Sequence, residues 1–361
     1  MKVLFQNRED ALDSWGGDTT QMIETKYHLE KLGVDVDLGL EDTPNLDDYD
    51  IVHIFNTQFS EYGLRQVLNA KKQGVPITLS TIYWDLKYAL NKERYLYSQL
   101  SSVRKAARVN INIPYIAEKI LGFLNNKENL IEVMLRESDI LLPNSYAELE
   151  IIVQSFDMPE VRSKSLVVPN GVSIPNFKEF DQSKLNDILP VSEDYVLEVG
   201  YLKFAKGQLN LIKALFDYPE IPLIFVGAEL EDFYRKKCFE LGEKRGNTYF
   251  LGKIPHKDIY PYYYNAKVHA LPSFRESPGL ATLEAGLFEA NCVVSMHGPI
   301  SEYFGFDAFC CDPSNISSIK NAVLDAWETP KNDKLKKRII KNFTWEKAAR
   351  KTLEAYEHLL Q

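Results

Sequence analysis

Residues 271–290 read LPSFRESPGLATLEAGLFEA, with Glu276 and Glu284 eight positions apart around the pair Pro278-Gly279. The rest of the run is mostly small and apolar. A buried helix has little reason to carry those two carboxylates, and a solvated helix would carry more charge. Just upstream, KVHALPS reads as a β-strand, which makes FRESPG the loop at its carboxyl end. Leu280, Leu283 and Leu287 then recur near helical spacing, so a helix starts at about Gly279. Glu276 hangs in the loop, and Glu284 lies roughly one turn into the helix. The amides of Gly279, Leu280 and Ala281 form the helix N-terminus between them. Carboxylates accept hydrogen bonds from sugar hydroxyls, and amides at a helix start suit a diphosphate.

The same strand–loop–helix unit recurs on both sides of this stretch. Upstream, MKVLF leads to TTQMIETKYHLEKLG, where Met22, Ile23, Tyr27, Leu29 and Leu32 follow helical spacing and Gly33 is the stop. VDVDLGL, DIVHIF and VPITLSTI read as strands, with GLRQVLNAKKQG as a helix between the last two. SDILLP, the helix SYAELEIIVQSF and then SLVVPNGV continue the alternation. Near residue 173 the pattern pauses in the polar, proline-punctuated SIPNFKEFDQSKLNDILPVSEDY. It resumes with YVLEVG, LNLIKALFDY, PLIFVG, LEDFYRKKCFELGEK, TYFLG, KVHALPS and CVVSM. This predicts two doubly wound α/β halves joined near residue 173, with a cleft between them as the expected site.

The totals agree with a globular chain of this kind. Of 361 residues, 45% are hydrophobic, and 51 acidic against 42 basic residues give a net charge of −9. That balance argues against a general nucleic-acid binder. No window approaches eighteen uninterrupted apolar residues, and MKVLFQNREDALDSW is too short in its apolar part for a signal peptide. Cys238, Cys292, Cys310 and Cys311 show no CxxC spacing and no partnering histidines, so reduced thiols in a cytoplasmic protein are expected.

Three further stretches lie where such sheets bind ligands. SWGGDTT (14–20) follows the first strand, and Gly16 and Gly17 let backbone amides approach an anion. It lacks the GxGxxG and GK[ST] patterns, and its plainer reading is a turn with Asp18 or Thr19 as helix cap. VGYLKFAKG (199–207) places Lys206 before a helix start, where it neutralises a phosphate or is simply a solvated lysine. In TYFLGKIPHK, Ile254 lies where a planar base would rest. Tyr260, Tyr262, Tyr263 and Tyr264 read as packing of a helix on the sheet. The DVD at 35–37 falls in a strand and reads as alternation, not as a metal site.

The ordered set of motifs resembles the retaining GT-B glycosyltransferases of family 4, the glycosyl transferases group 1. The usual PS-x-x-E-G-x-G-L-x-x-x-E-A signature is matched by LPSFRESPGLATLEA. GG after the first strand, DIVHIF, SDILLPNS, VVPNGV, VG-x5-KG, FLG and the closing FTWEKAARKTLEAYEHL match in the same order, over nearly the whole chain. The resemblance implies an α/β GT-B architecture of two Rossmann-like domains facing each other across a cleft. Residues 1–172 would bind the acceptor, 173–343 the nucleotide sugar, and 344–361 would return as a helix to the first domain. It further implies Glu284 on the ribose, Glu276 on the donor sugar, and Lys206 with the Gly279 and Leu280 amides on the diphosphate. Ile254 would flank the base, Ser277, Pro278 and Ala281 would line the donor, and Gly16 and Gly17 would lie near phosphates and acceptor. No cofactor and no catalytic metal are implied. The donor is expected to be a nucleotide-diphosphate sugar, with UDP-hexose favoured.

Three departures stand out. Tyr201 occupies the place of a frequent arginine, so that either Lys203 supplies the missing charge or binding leans on Lys206 alone. Asp85, in IYWDL, stands where a cleft histidine is common, either as a polar contact to substrate or as a helix cap. Pro278 replaces a glycine-aromatic step. Residues 83–135 are the least family-like, with Lys87, Lys92, Arg94, Arg104, Lys105, Arg108 and Lys119 interleaved with Tyr88, Tyr95, Tyr97 and Tyr115. They read either as a surface for anionic membrane or a lipid-linked acceptor, or as a solvated helical pair. A glycan acceptor fits the overall reading equally. The alternatives to a transferase are a non-catalytic sugar-nucleotide-binding module and a sugar-nucleotide epimerase on the same scaffold. None of the six histidines sits in a motif suited to the epimerase.

Overall fold

A computed structural model describes residues 1–83, 127–177, 191 and 194–361. Asp85, nearly all of the basic and aromatic stretch, and most of the 173–195 segment lie outside these residues. The chain divides into two compact units, Met1–Gly171 with Trp345–Gln361, and Val172–Thr344.

The first unit holds a parallel sheet of five described strands: β1 (Lys2–Gln6), β2 (Asp35–Leu38), β3 (Ile51–Phe55), β4 (Ile77–Ser80) and β5 (Ile140–Leu141), in the order β2-β1-β3-β4-β5. Strand alternation sorts the side chains to two cores. Val3, Phe5, Ile51 and Phe55 join Met22 and Leu29 of the Gly17–Glu30 helix on one face. Leu4, Val52, Ile54, Ile77 and Leu79 join Val67, Met134 and Ile152 on the other. Sheets buried on both faces carry near-continuous apolar strands, and IVHIF is of this type. The closing helix Trp345–Leu359 packs on Gly17–Glu30 and adds Ala349 and Tyr356 to the first of these cores.

The second unit contains β6 (Val196–Val199), β7 (Leu223–Val226), β8 (Thr248–Phe250), β9 (Val268–Leu271), β10 (Asn291–Ser295) and β11 (Phe309–Cys311). All pair in parallel, in the order β11-β10-β9-β6-β7-β8. Leu197, Ile224, Cys292 and Val294 pack against Tyr262, Tyr263, Leu283 and Leu287, so the tyrosine run does serve the core. Helices Gln208–Ala214, Asp232–Arg245 and Ile316–Glu328 form a row packed on one another, burying Leu211 and Val323. Strand order reverses between β6 and β9, which makes their carboxyl ends the topological switch point of this sheet.

Three expectations change. SLVVPNGV is not a regular strand: it runs beside β5 through the Leu166 amide on Leu141 O and the Val168 amide on Pro143 O, both 2.9 Å, and Pro169 has no amide to continue the ladder. The edge strand β11, unrecognised in FDAFCC, extends the second sheet beyond CVVSM. Neither Asp18 nor Thr19 is the N-cap residue, because the helix already begins at Gly17 with Gly16 at its N-cap; Thr19 Oγ1 accepts from the Gly16 amide at 3.5 Å.

Candidate donor site

Two loops meet at the switch point of the second sheet. After β6 the chain runs through Gly200 and Tyr201 into a single 3-10 turn, Phe204–Lys206, and then into the Gln208–Ala214 helix. After β9 it runs through Pro272 into the Glu276 loop. The Phe274 amide and the Ser273 hydroxyl both donate to Ala205 O at 2.8 Å, and the Phe204 and Phe274 rings stack at 4.8 Å. Gly207 sits at φ +87°, and a Cβ there would fall 2.3 Å from Pro272 O, so only glycine permits this approach.

Pinned in this way, Lys206 Nζ donates to Glu276 Oε2 at 2.6 Å, with 18% and 21% of the two side chains exposed. The Lys206 stem lies over Gly200. Gly279, at φ +92°, caps the Leu280–Leu287 helix, and a Cβ on it would meet Glu276 Cγ at 2.9 Å. The amides of Leu280 and Ala281 lie in the first turn of that helix, where backbone N–H groups have no acceptor within the helix. Ser277 and Pro278 join through a cis peptide beneath Gly279.

Glu284, one turn on, is 14% exposed and held at both oxygens. Tyr263 donates to Oε2 at 2.9 Å, and His256 Nε2 lies 2.7 Å from Oε1. Ile254 leaves β8 just before the 3-10 turn His256–Asp258 and packs against the edge of the core. Lys203 lies 5.8 Å over the Tyr201 ring. Burial lowers its ammonium pKa, helped by the nearby positive charges of Lys206 and Arg275. The second-unit residues expected at the donor thus gather at the carboxyl ends of β6, β8 and β9. Among the described residues, no group of three or more His, Cys, Asp or Glu side chains is arranged to hold a metal ion.

Gly16 and Gly17 lie in the first unit, at the carboxyl end of β1. Arg8 organises their loop, donating to Asp10 at 2.8 Å, to Asp18 at 3.3 Å and to the Ser14 carbonyl. His53 is fully buried in β3, between Tyr356 at 2.6 Å and Ser80 at 2.9 Å. Asp37 of the DVD accepts from Tyr49 and pairs with Lys2. Asp85 lies outside the described residues.

Residues 181–345 match the family described as glycosyl transferases group 1. The two-domain chain has the GT-B fold, on the evidence of solved structures similar over nearly its whole length. Sucrose-phosphate synthase from Thermosynechococcus elongatus gives a TM-score of 0.72 at 17% identity, covering 99% of each chain. The Anabaena protein HepE, solved in complex with UDP, gives 0.72 at 18% identity, covering 99% of this chain and 100% of that one. By sequence, an uncharacterized glycosyltransferase of Methanocaldococcus jannaschii is 27% identical over 228 residues, 58% of this chain and 57% of that protein. The O-antigen chain mannosyltransferase B of Escherichia coli is 28% identical over 178 residues, 46% of each. The D-inositol 3-phosphate glycosyltransferase of Corynebacterium urealyticum is 30% identical over 164 residues, 41% of this chain and 38% of that one. The chain spans about half the length of these curated relatives.

Within the matched stretch, sequence reasoning did not find His256 and Tyr263 as partners of Glu284. Histidine in IPHK carries no motif, and tyrosines at helical spacing read first as core. Arg8 escaped for a similar reason, since an arginine after a first strand reads as surface. Its signal was the acidic run around it, Glu9, Asp10, Asp13 and Asp18.

Proposed function

We propose that this protein is a retaining glycosyltransferase that moves a hexose from a nucleotide-diphosphate sugar, UDP-hexose foremost, to a hydroxyl of a glycan or lipid-linked acceptor. The observation that carries this reading is the Lys206–Glu276 pair at the switch point, beside the first turn of the Leu280–Leu287 helix. A diphosphate seated on the Leu280 and Ala281 amides draws Lys206 to itself and releases Glu276 to the sugar hydroxyls. The bond from the anomeric carbon to the diphosphate breaks as the acceptor oxygen bonds to that carbon on the same face. The acceptor proton passes to the leaving phosphate oxygen. Lys206 and the helix amides stabilise the charge that develops there, so the scheme calls for no metal. The glycosyl-transferring relatives, and a fold neighbour that binds UDP, support the choice of donor.

Thermal shift with UDP-, GDP- and ADP-glucose identifies the donor, because a ligand of the folded state raises stability by mass action. Nucleotide release in the presence of acceptor mixtures then measures turnover. Near-wild-type turnover in Glu276→Ala would overturn the reading. Tyr201, standing where the family often has arginine, favours one alternative, a nucleotide-sugar-binding module without turnover. Hydrolysis of the bound nucleotide sugar without acceptor argues against that module.

A further inference from the structure

Glu198 puts a carboxyl group in the middle of the apolar strand β6. It is 1% exposed, and among the described residues neither of its oxygens has a hydrogen-bond partner. Parallel register places it in one row with Phe225 of β7 and Phe250 of β8, whose rings stack at 5.0 Å. Residues paired in this way share a face, so all three look toward the Asp232–Arg245 helix, whose Gly242 packs on Phe250. Gln208, also 1% exposed, donates through Nε2 to Tyr201 O at 3.1 Å, and its Oε1 has no partner. Lys206 lies within the loop that this bond closes, with its stem over Gly200. Glu198 and Gln208 both line a cavity of about 10 Å³, room for one water. A water donates only two hydrogens, and here three acceptors are unmet. As a neutral acid, Glu198 donates its own hydrogen to the water, which donates back to the acid carbonyl and on to Gln208 Oε1. One proton and one water then satisfy all three oxygens, whereas an ionised Glu198 leaves one unmet and a charge buried.

We infer that Glu198 is a positioning residue: as a neutral acid bridged by one buried water to Gln208, it braces the Tyr201–Lys206 turn and aims Lys206 at the donor's diphosphate. This rests on the donor-site reading above. Burial raises the Glu198 carboxyl well above the usual carboxylate range; the Lys206 charge opposes this and the Glu276 charge adds to it. Tyr234 and Cys238 of the Asp232–Arg245 helix lie close by, both kept protonated by burial. Glu229, which also lines the cavity, is paired with Arg235 at 2.9 Å. A neutral Glu198 leaves the Lys206 charge undivided for the phosphates.

Infrared difference spectra and calorimetric titration of the full chain test this. At pH 7 the wild-type minus Glu198→Gln spectrum is expected to show the carbonyl band of a protonated carboxyl; carboxylate bands in its place overturn the inference. Titration uses UDP, GDP and ADP, each against its monophosphate. The preferred diphosphate is expected to bind wild type roughly ten- to a hundredfold more tightly than its monophosphate. Glu198→Leu, which fills the space without a donor, is expected to reduce that ratio by about threefold or more, while monophosphate affinity stays put. Glu198→Gln, neutral and able to donate, is expected to restore most of the ratio. Should Glu198→Leu not fold, Gln208→Leu removes the other end of the bridge and is expected to lower the ratio in the same way. If the folded leucine variants keep the wild-type ratio, or lose affinity for both forms equally, Glu198 is structural and the inference is wrong. Wild type binding di- and monophosphates alike overturns the inference and leaves the nucleotide reading standing. Wild type binding none of the nucleotides overturns both.

Discussion

Lys206 and Glu276 meet because the loops that carry them are bound to each other beneath the pair, through Ala205 O and the stacked Phe204 and Phe274 rings. Glu284 is set instead from its sides, by a buried tyrosine and an exposed histidine. The two glutamates should therefore fail differently. Glu276→Ala is expected to lower kcat by roughly a hundred- to a thousandfold. Glu284→Ala is expected to act chiefly on donor KM, and steady-state nucleotide release at varied donor separates the two effects. Gly279→Ala tests the geometry between them. At φ +92° an alanine costs about 1–2 kcal/mol, and its Cβ would press on Glu276. A lower urea midpoint together with reduced turnover is expected, where a loop tolerant of alanine would show neither. Glu276 and Glu284 were legible in the sequence because a charge is conspicuous in an apolar run. His256 and Tyr263 were not, because their partner lies on another element.

At the scale of elements, the first unit joins its closing helix to its sheet through one buried polar chain. Tyr356 of the Trp345–Leu359 helix meets His53 Nδ1, and His53 Nε2 meets Ser80 of β4. Burial holds the His53 pKa down at about 3, from an ordinary 6.5. Between those values the unfolded chain takes up a proton that the folded one refuses. Stability is therefore full above about pH 6.5 and falls with pH by roughly 1.4 kcal/mol per unit, until about pH 3. Buried His269 in β9, also held at about 3, adds the same trend to the second unit. Urea unfolding at pH 7, 6 and 5 measures this, and a flat profile would contradict it. Tyr356→Phe leaves His53 short of a partner and is expected to cost about 1–3 kcal/mol at pH 7, read from the same titrations. The sequence placed His53 within a strand. It offered no hint of the tyrosine, which lies about three hundred residues away.

Across the whole molecule, the chain leaves the first unit at Gly171 and returns to it at Trp345. The first unit's core thus depends on the returning Trp345–Leu359 helix, since Ala349 and Tyr356 are fully buried among Val3, Phe5 and Met22. Deleting 345–361 is expected to lower the unfolding transition of the first unit and to spare that of Val172–Thr344. Calorimetry and limited proteolysis of the shortened chain check this; equal loss in both units would count against it. Among the described residues, no helix is long and apolar enough to cross a membrane. What the sequence by itself determined is local. Hydrophobic period and punctuation gave the alternation of strands and helices, and with it the parallel sheets, while the Glu276–Glu284 stretch gave a loop-to-helix junction at a strand's carboxyl end. SLVVPNGV and β11 escaped because pairing with a neighbouring strand, not local pattern, decides whether an extended segment joins a sheet. The tertiary structure alone decided which side chains meet. Strand order put β6 beside β9, although some seventy residues separate them, and so brought Lys206 to Glu276. Periodicity reports which face of an element is buried, but not which element will cover it.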